Sequence, residues 1–283
     1  MNDREAFARL QRDGWERVAG KYESSWASLT RQFVKPLVEA AGVGAGARVL
    51  DVACGPGYVA EAVHAVGAHA TGVDFSPEMV RIATARVPGV EFRRGDAEAL
   101  DFDTASFDRV LTNFGILHFA WPERALAEAR RVLRSGGRLG FTVWAPPEVN
   151  PGTRIVDEAM REHGEITVDL PEGPPRSLAV DETTCREFLA AAGFAPLSIR
   201  IATVTADWTI PTLGFLFEAE RDAGVRTAAV LARQSPERLA AIRAAIEERV
   251  ARFAAPGGYV IPMAARVVTA DPAPDGEARK RER

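Results

Sequence analysis

From residue 47 onward the chain alternates short apolar runs with stretches of helical spacing. The runs 47–53, 69–74, 90–95, 107–112 and 137–144 have strand length, and 57–66, 76–86 and 122–134 between them repeat apolar residues at three and four. This βαβα order predicts a parallel sheet with helices on both faces. Ser76-Pro77-Glu78 reads as a helix start, with a capping hydroxyl, a proline at the first position and an acid in the first turn. Gly136-Gly137 follows a basic stretch at Arg130, Arg131 and Arg134, as a helix stop should.

The flanks are patterned differently. Residues 3–30 read as helical, with Trp15, Val18, Ala19, Tyr22 and Trp26 on one face. Residues 145–180 are rich in proline, glycine and acids, with one short helix near 153–163. A further helix is expected at 183–192 and a sixth strand at 196–207. An apolar stretch at 210–222 precedes an amphipathic helix at 235–253, whose apolar face is Leu239, Ile242, Ile246, Val250 and Phe253. A final β run occupies 259–269. The expected organisation is a helical N-terminal segment (1–40), a core (41–207, with 145–180 as a variable segment), a helical insertion (208–257), a last core strand (258–270) and a disordered tail (271–283). Arg279-Lys280-Arg281 in that tail reads as a solvated end.

Composition narrows the class. The 283 residues are 47% hydrophobic, enough for a sizeable core, and the formal charge of −4 gives no electrostatic footprint for nucleic acid. Two cysteines, Cys54 and Cys185, are too few for a disulfide framework or a cysteine metal site. No run approaches the ~20 apolar residues of a membrane span, and the first residues lack an apolar signal core. A cytoplasmic enzyme is expected, with no nucleic-acid or membrane partner and no metal; the oligomeric state is left open.

The chemistry concentrates in Asp51-Val52-Ala53-Cys54-Gly55-Pro56-Gly57. An apolar run ends in a carboxylate, and a glycine turn leads into a helix. Gly55 and Gly57 permit a sharp turn and close approach of a ligand, and the helix start offers N–H groups. Gly55-x-Gly57-x-x-Ala60 fits the dinucleotide fingerprint formally. Asp51 would repel a pyrophosphate, however, and Pro56 removes a backbone donor where phosphates need one. A cationic ligand with an amino group suits an acidic strand end better.

This stretch resembles motif I of the class I S-adenosylmethionine (SAM) dependent methyltransferases. Thr71-Gly72-Val73-Asp74-Phe75-Ser76, Gly95-Asp96-Ala97-Glu98, Phe107 to Phe114 and Arg131 to Leu139 resemble the later motifs in order and spacing. The match spans roughly 45–145 and is similar above all to the ubiquinone/menaquinone-type small-molecule branch. It implies a Rossmann-like seven-stranded sheet, with the last strand antiparallel, and a mainly helical substrate lid. SAM would be the cofactor and S-adenosylhomocysteine its product. Asp51 would hold the methionine amino end, with the capping of the loop as its structural alternative. Ala53, Gly55 and Gly57 would shape the loop, and Asp74 would accept hydrogen bonds from the ribose hydroxyls. Phe75 and Met79 would flank the adenine, Asp96 and Ala97 would read its edge, and Asn113 and Phe114 would line the floor near the sulfur. Glu98 is expected to face solvent. Trp15, Tyr22, Trp144 and His163 are candidates for the acceptor side.

Among four histidines, His118 is the candidate base: it follows Asn113 by five residues, and its reference pKa of ~6.5 suits proton transfer. A histidine that holds loop structure is the alternative. Asn113-Phe114-Gly115-Ile116 departs from the Asn/Asp-Pro-Pro-Tyr motif of amide and base N-methyltransferases, and no clustered acids resemble the metal site of catechol-type enzymes. The expected activity is methyl transfer from SAM to a small, partly apolar acceptor at oxygen, nitrogen or carbon. The competing readings are a SAM-binding protein of the same fold with a non-methylating reaction, such as cyclisation, and an NAD(P)-dependent oxidoreductase.

Overall fold

In the computed structural model, which describes residues 3–174 and 181–274, the elements run in the following order. Helices α1 (Asp3–Tyr22), α2 (Ala27–Thr30) and α3 (Val34–Ala40) precede β1 (Arg48–Val52), α4 (Tyr58–Ala65), β2 (His69–Asp74), α5 (Pro77–Arg86), β3 (Glu91–Arg94) and β4 (Phe107–Asn113). Next come α6 (Pro122–Val132), β5 (Leu133–Trp144), α7 (Pro151–His163), α8 (Glu182–Ala191) and β6 (Arg200–Ile210). The chain continues through α9 (Phe215–Ala223), α10 (Val225–Leu231), α11 (Pro236–Val250), β7 (Ala254–Ala255) and β8 (Gly258–Ala270). Two compact units emerge. In their described parts, a sheet unit comprises Phe33–Trp144, Gly173–Val204 and Arg266–Arg283, and a helical unit comprises Met1–Gln32, Ala145–Glu172 and Thr205–Ala265.

The strand order is β3-β2-β1-β4-β5-β8-β6, with β7 paired to β8. Strands β3, β2, β1, β4 and β5 are mutually parallel. The order reverses between β1 and β4, so the carboxyl ends of these two strands form the crevice where ligands of open α/β sheets sit. Register fixes what stands there. Asp51 is level with Gly72 and Leu111, and Asn113 is level with Thr142. The strands are held by a core of Leu50, Val52, Val110, Leu139, Phe141 and Val143, joined by Leu126 and Val132 of α6 and by Leu189, Phe194 and Ile199. Each such side chain contributes on the order of 1.5–3 kcal/mol on burial. Arg138 clamps the chain after β8 through a bidentate pair with Asp271 at 2.6 and 3.1 Å.

Two boundaries differ from the sequence expectation. Helix α6 stops at Val132, and β5 begins at Leu133 instead of residue 137. Leu133 already pairs with Phe107; the register then shifts before Arg109 pairs with Arg138. A bulge therefore takes up the residues in between, with Gly136 at φ 73° in the left-handed region. Arg134, expected as a basic helix end, instead forms an ion pair with Asp108. The eighth strand, β7, is a two-residue pairing with Gly258 and Tyr259 that has no periodicity to betray it.

In the helical unit, Gly14 of α1 is buried against Val225 at the start of α10, where an added Cβ would fall 2.4 Å from Val225 Cγ1. Trp26 stacks on Trp208 at 5.1 Å, Trp26 Nε1 donates to the Ala219 carbonyl and Trp208 Nε1 to Ser28 Oγ. Buried Asn150 caps α7 and donates to the Ala264 carbonyl at 2.9 Å. No described helix is long and apolar enough to cross a membrane. The Arg279-Lys280-Arg281 cluster and part of the 145–180 segment lie outside the described residues.

Candidate active site

At the end of β1, Asp51 is 1% exposed. Its Oδ2 accepts the Ala60 N–H at 3.1 Å, so it caps the first turn of α4, while Oδ1 has no hydrogen-bond partner. Burial, with the neighbouring Asp74 carboxylate adding to it, pushes its pKa up to about 8. The loop that follows is tightly turned. Ala53, Gly55 and Gly57 have φ of 53°, 50° and 86°. A Cβ on Gly55 would meet no protein atom within 4 Å, so this backbone faces open space; a Cβ on Gly57 would press on Ala83 and Phe92. A buried acceptor without a donor beside an open glycine turn fits the amino end of a cationic ligand.

Asp74 closes β2 with 7% exposure. Its Oδ2 accepts the Gly55 N–H and its Oδ1 the Ser76 N–H, both at 2.9 Å. The carboxylate thus ties the β1 loop to the start of α5, where Ser76 Oγ caps Met79. A carboxylate oxygen accepts more than one hydrogen bond, so this residue type suits a ligand diol. Phe75 is half-buried and Met79 buried. Past β3, Asp96 is exposed and folds its carboxylate back on the Glu98 N–H, and Ala97 packs partly on the core. Glu98 is half-buried where a solvent-facing side chain was expected: its Oε1 accepts the Trp121 N–H at 2.8 Å, and burial raises its pKa.

Asn113 ends β4, and Phe114 follows with φ 62°. Gly115 then packs so closely that a Cβ would lie 2.4 Å from Thr112 Oγ1 and 2.7 Å from Ala53 Cβ. Phe114 stacks on Trp144 at 4.1 Å and 29°, and Phe33 meets both rings edge-on at 5.5 and 5.9 Å. His118 lies at the end of the single turn Gly115–His118. Burial lowers its pKa to about 4, so it is a neutral imidazole at pH 7. Burial, with Asp51 and Asp74 adding to it, raises the pKa of Cys54 well above that of a free thiol, which disfavours its thiolate.

The remaining candidates belong to the helical unit. Trp15 joins Val18, Ala223 and Val225 in a small core and meets Tyr22 edge-on at 5.9 Å. The Tyr22 hydroxyl donates to Thr30 Oγ1 at 3.0 Å, and burial pushes its pKa up to about 12. His163 is exposed near Glu162 at 3.7 Å. Three residues at the sheet edge escaped the sequence: Phe33, Thr112 and Thr142. Only Phe33, an aromatic just ahead of an apolar run, carried any signal. Among the described residues no group of three or more His, Cys, Asp or Glu is placed to hold a metal. A polar groove of about 520 Å³ lined by Arg48, His69, Arg93 and Asp101 lies at the opposite, amino ends of the strands.

Comparison with known proteins agrees with this geometry. A family described as a methyltransferase domain matches residues 50–141. The demethylmenaquinone methyltransferase of Clavibacter sepedonicus is 33% identical over 63% of this chain and 75% of its own length. That of Renibacterium salmoninarum is 37% identical over 50% of this chain, a match that spans only 61% of the relative's length. The crystal structure of the YcgJ protein from Bacillus subtilis superposes with a TM-score of 0.55 at 19% identity, covering 86% of this chain and 99% of its own, and so shares the fold. The chain belongs to the class I S-adenosylmethionine-dependent methyltransferases, in their quinone-methyltransferase branch, and S-adenosylmethionine is its cofactor.

Proposed function

We propose that this protein methylates a small, partly apolar acceptor of the quinol or phenol class. The observation that carries the reading is the unpartnered Oδ1 of Asp51 beside the open turn at Gly55. Support for the acceptor class comes from the demethylmenaquinone methyltransferases it resembles and from the Phe33, Phe114 and Trp144 rings at the carboxyl edge of the sheet.

When bound, SAM would supply an electrophilic methyl carbon: the bond to the acceptor would form as the bond to sulfur breaks, sulfur leaving as the neutral thioether of S-adenosylhomocysteine and the acceptor's proton passing to water. The residues bind and orient. Asp51 Oδ1 receives the ammonium of the methionine end, and Asp74 receives the ribose hydroxyls. Phe75 and Met79 flank the adenine, with Asp96 and the Ala97 backbone at its edge. Asn113 and Phe114 would line the floor near the sulfur. Positioning of this kind is worth on the order of 7–11 kcal/mol. His118 is neutral and able to accept a proton, but with a pKa of about 4 it holds that proton weakly; the reading therefore places it as a hydrogen-bonding group.

The test is transfer of isotope-labelled methyl from SAM, offered with demethylmenaquinone and with a small-metabolite extract, read by mass spectrometry. A labelled quinone is the expected product. Label in another small molecule would replace the acceptor class, and bound SAM with no S-adenosylhomocysteine formed under any condition would favour a non-methylating reaction on the same scaffold.

A further inference from the structure

Thr142 belongs to none of the sequence motifs, yet it sits at the centre of the polar contacts at the end of β4. It is 0% exposed and in register with Asn113 on the neighbouring strand. Its hydroxyl accepts the Phe114 N–H at 2.9 Å and donates to Asn113 Oδ1 at 2.6 Å. A hydroxyl has one proton, and here it goes to the carboxamide oxygen. The Asn113 oxygen is thereby held toward β5, which fixes which way round the carboxamide sits. The second bond acts on the backbone. Phe114 stands at φ 62°, a left-handed conformation that strains a bulky residue, and its N–H is fixed by Thr142. The ring so placed stacks on Trp144, two residues beyond Thr142 on the same strand.

We propose that Thr142 is a positioning residue of the SAM site: one hydroxyl decides which end of the Asn113 carboxamide meets the ligand and holds Phe114 in its left-handed turn. The proposal rests on the reading that Asn113 lines that site. Thr142→Val keeps the shape of the side chain and removes both hydrogen bonds, whereas Thr142→Ser keeps the hydroxyl.

The experiment is a double-mutant cycle on S-adenosylhomocysteine binding by calorimetry, with Thr142→Val, Thr142→Ser, Asn113→Ala and the Asn113→Ala/Thr142→Val pair. Loss of a buried hydrogen bond predicts about tenfold weaker binding for Thr142→Val and a change within about threefold for Thr142→Ser. The double variant should lose less affinity than the product of the two single losses, since Thr142 acts in part through Asn113. Wild-type affinity in Thr142→Val, equal loss in Thr142→Ser, or losses that multiply in the pair would each overturn the role of Thr142. Wild-type affinity in Asn113→Ala would overturn the placement of Asn113 itself, and the proposal with it. A second measurement needs only wild-type protein and Asn113→Ala as the assignment control. The Asn113 side-chain NH₂ resonances should shift on titration with S-adenosylhomocysteine, and unmoved signals would contradict the proposal even if Thr142→Val does not fold.

Discussion

Asp51 combines a helix cap with a buried oxygen that has no donor, and this makes it a proton-linked residue. Its pKa lies at about 8 in the folded chain against 3.8 in a free carboxyl, so the folded state holds the proton more tightly. The stability this gives is fully present below pH 3.8 and is lost as pH rises through about 8. Asp51→Asn, which has no charge to bury, should therefore gain on the wild type between those limits, as read by urea unfolding at pH 5 and pH 8.5. An ammonium against Oδ1 favours the carboxylate, so SAM binding at pH 7 should release a proton in the wild type and none in Asp51→Asn; calorimetry in buffers of different ionisation enthalpy reads this directly. Asp74→Ala should weaken SAM binding by at least about tenfold, ~1.4 kcal/mol. Part of that loss comes from the Gly55 and Ser76 N–H groups, which lose their acceptor. The strand-end positions of Asp51, Asp74 and Asn113 were legible in the sequence because each closes an apolar run. Thr142 was not: inside β5 it reads as an ordinary strand former, and its partner lies 29 residues away.

At the scale of elements, the carboxyl edge of the sheet is shaped by turns that only a few residues tolerate. Ala53 after β1 and Phe114 after β4 both have positive φ without being glycine, and Gly115 fits between Thr112 and Ala53 only because it lacks a Cβ. Gly115→Ala should lower stability by about 1–3 kcal/mol, the usual cost of overpacking, in a urea titration. The strands and helices of this region follow from periodicity and capping, as at Ser76-Pro77, where the expected cap bond to Met79 is formed. Periodicity failed where two elements meet without a loop. The helix signal of Arg130, Arg131 and Arg134 runs into β5, because the bulge opposite Phe107 lets the strand begin early, and no residue pattern encodes a register shift.

For the molecule as a whole, ligand binding should appear as cooperative stabilisation. At a hundredfold excess over its Kd, S-adenosylhomocysteine should add about 2.7 kcal/mol to the stability of the unit it binds and raise the thermal midpoint, whereas NAD should not. A shift with NAD alone would restore the dinucleotide reading that Asp51 and Pro56 argue against. The division into units was marked in the chain at one junction, where the composition changes after Trp144; the other junctions carry no such mark, because each unit is assembled from three separate segments.

The strand order also has a consequence for biosynthesis. Strand β6 is the last in the sheet, and its one neighbour, β8, begins at Gly258, well after β6 ends at Ile210. As the polypeptide leaves the ribosome, β5 therefore waits with one bare edge and β6 with no partner until β8 has emerged. Unpaired edges are templates for association between nascent chains. Synthesis halted between these two strands would thus leave both edges open, and the bare edges should close only once β8 has emerged.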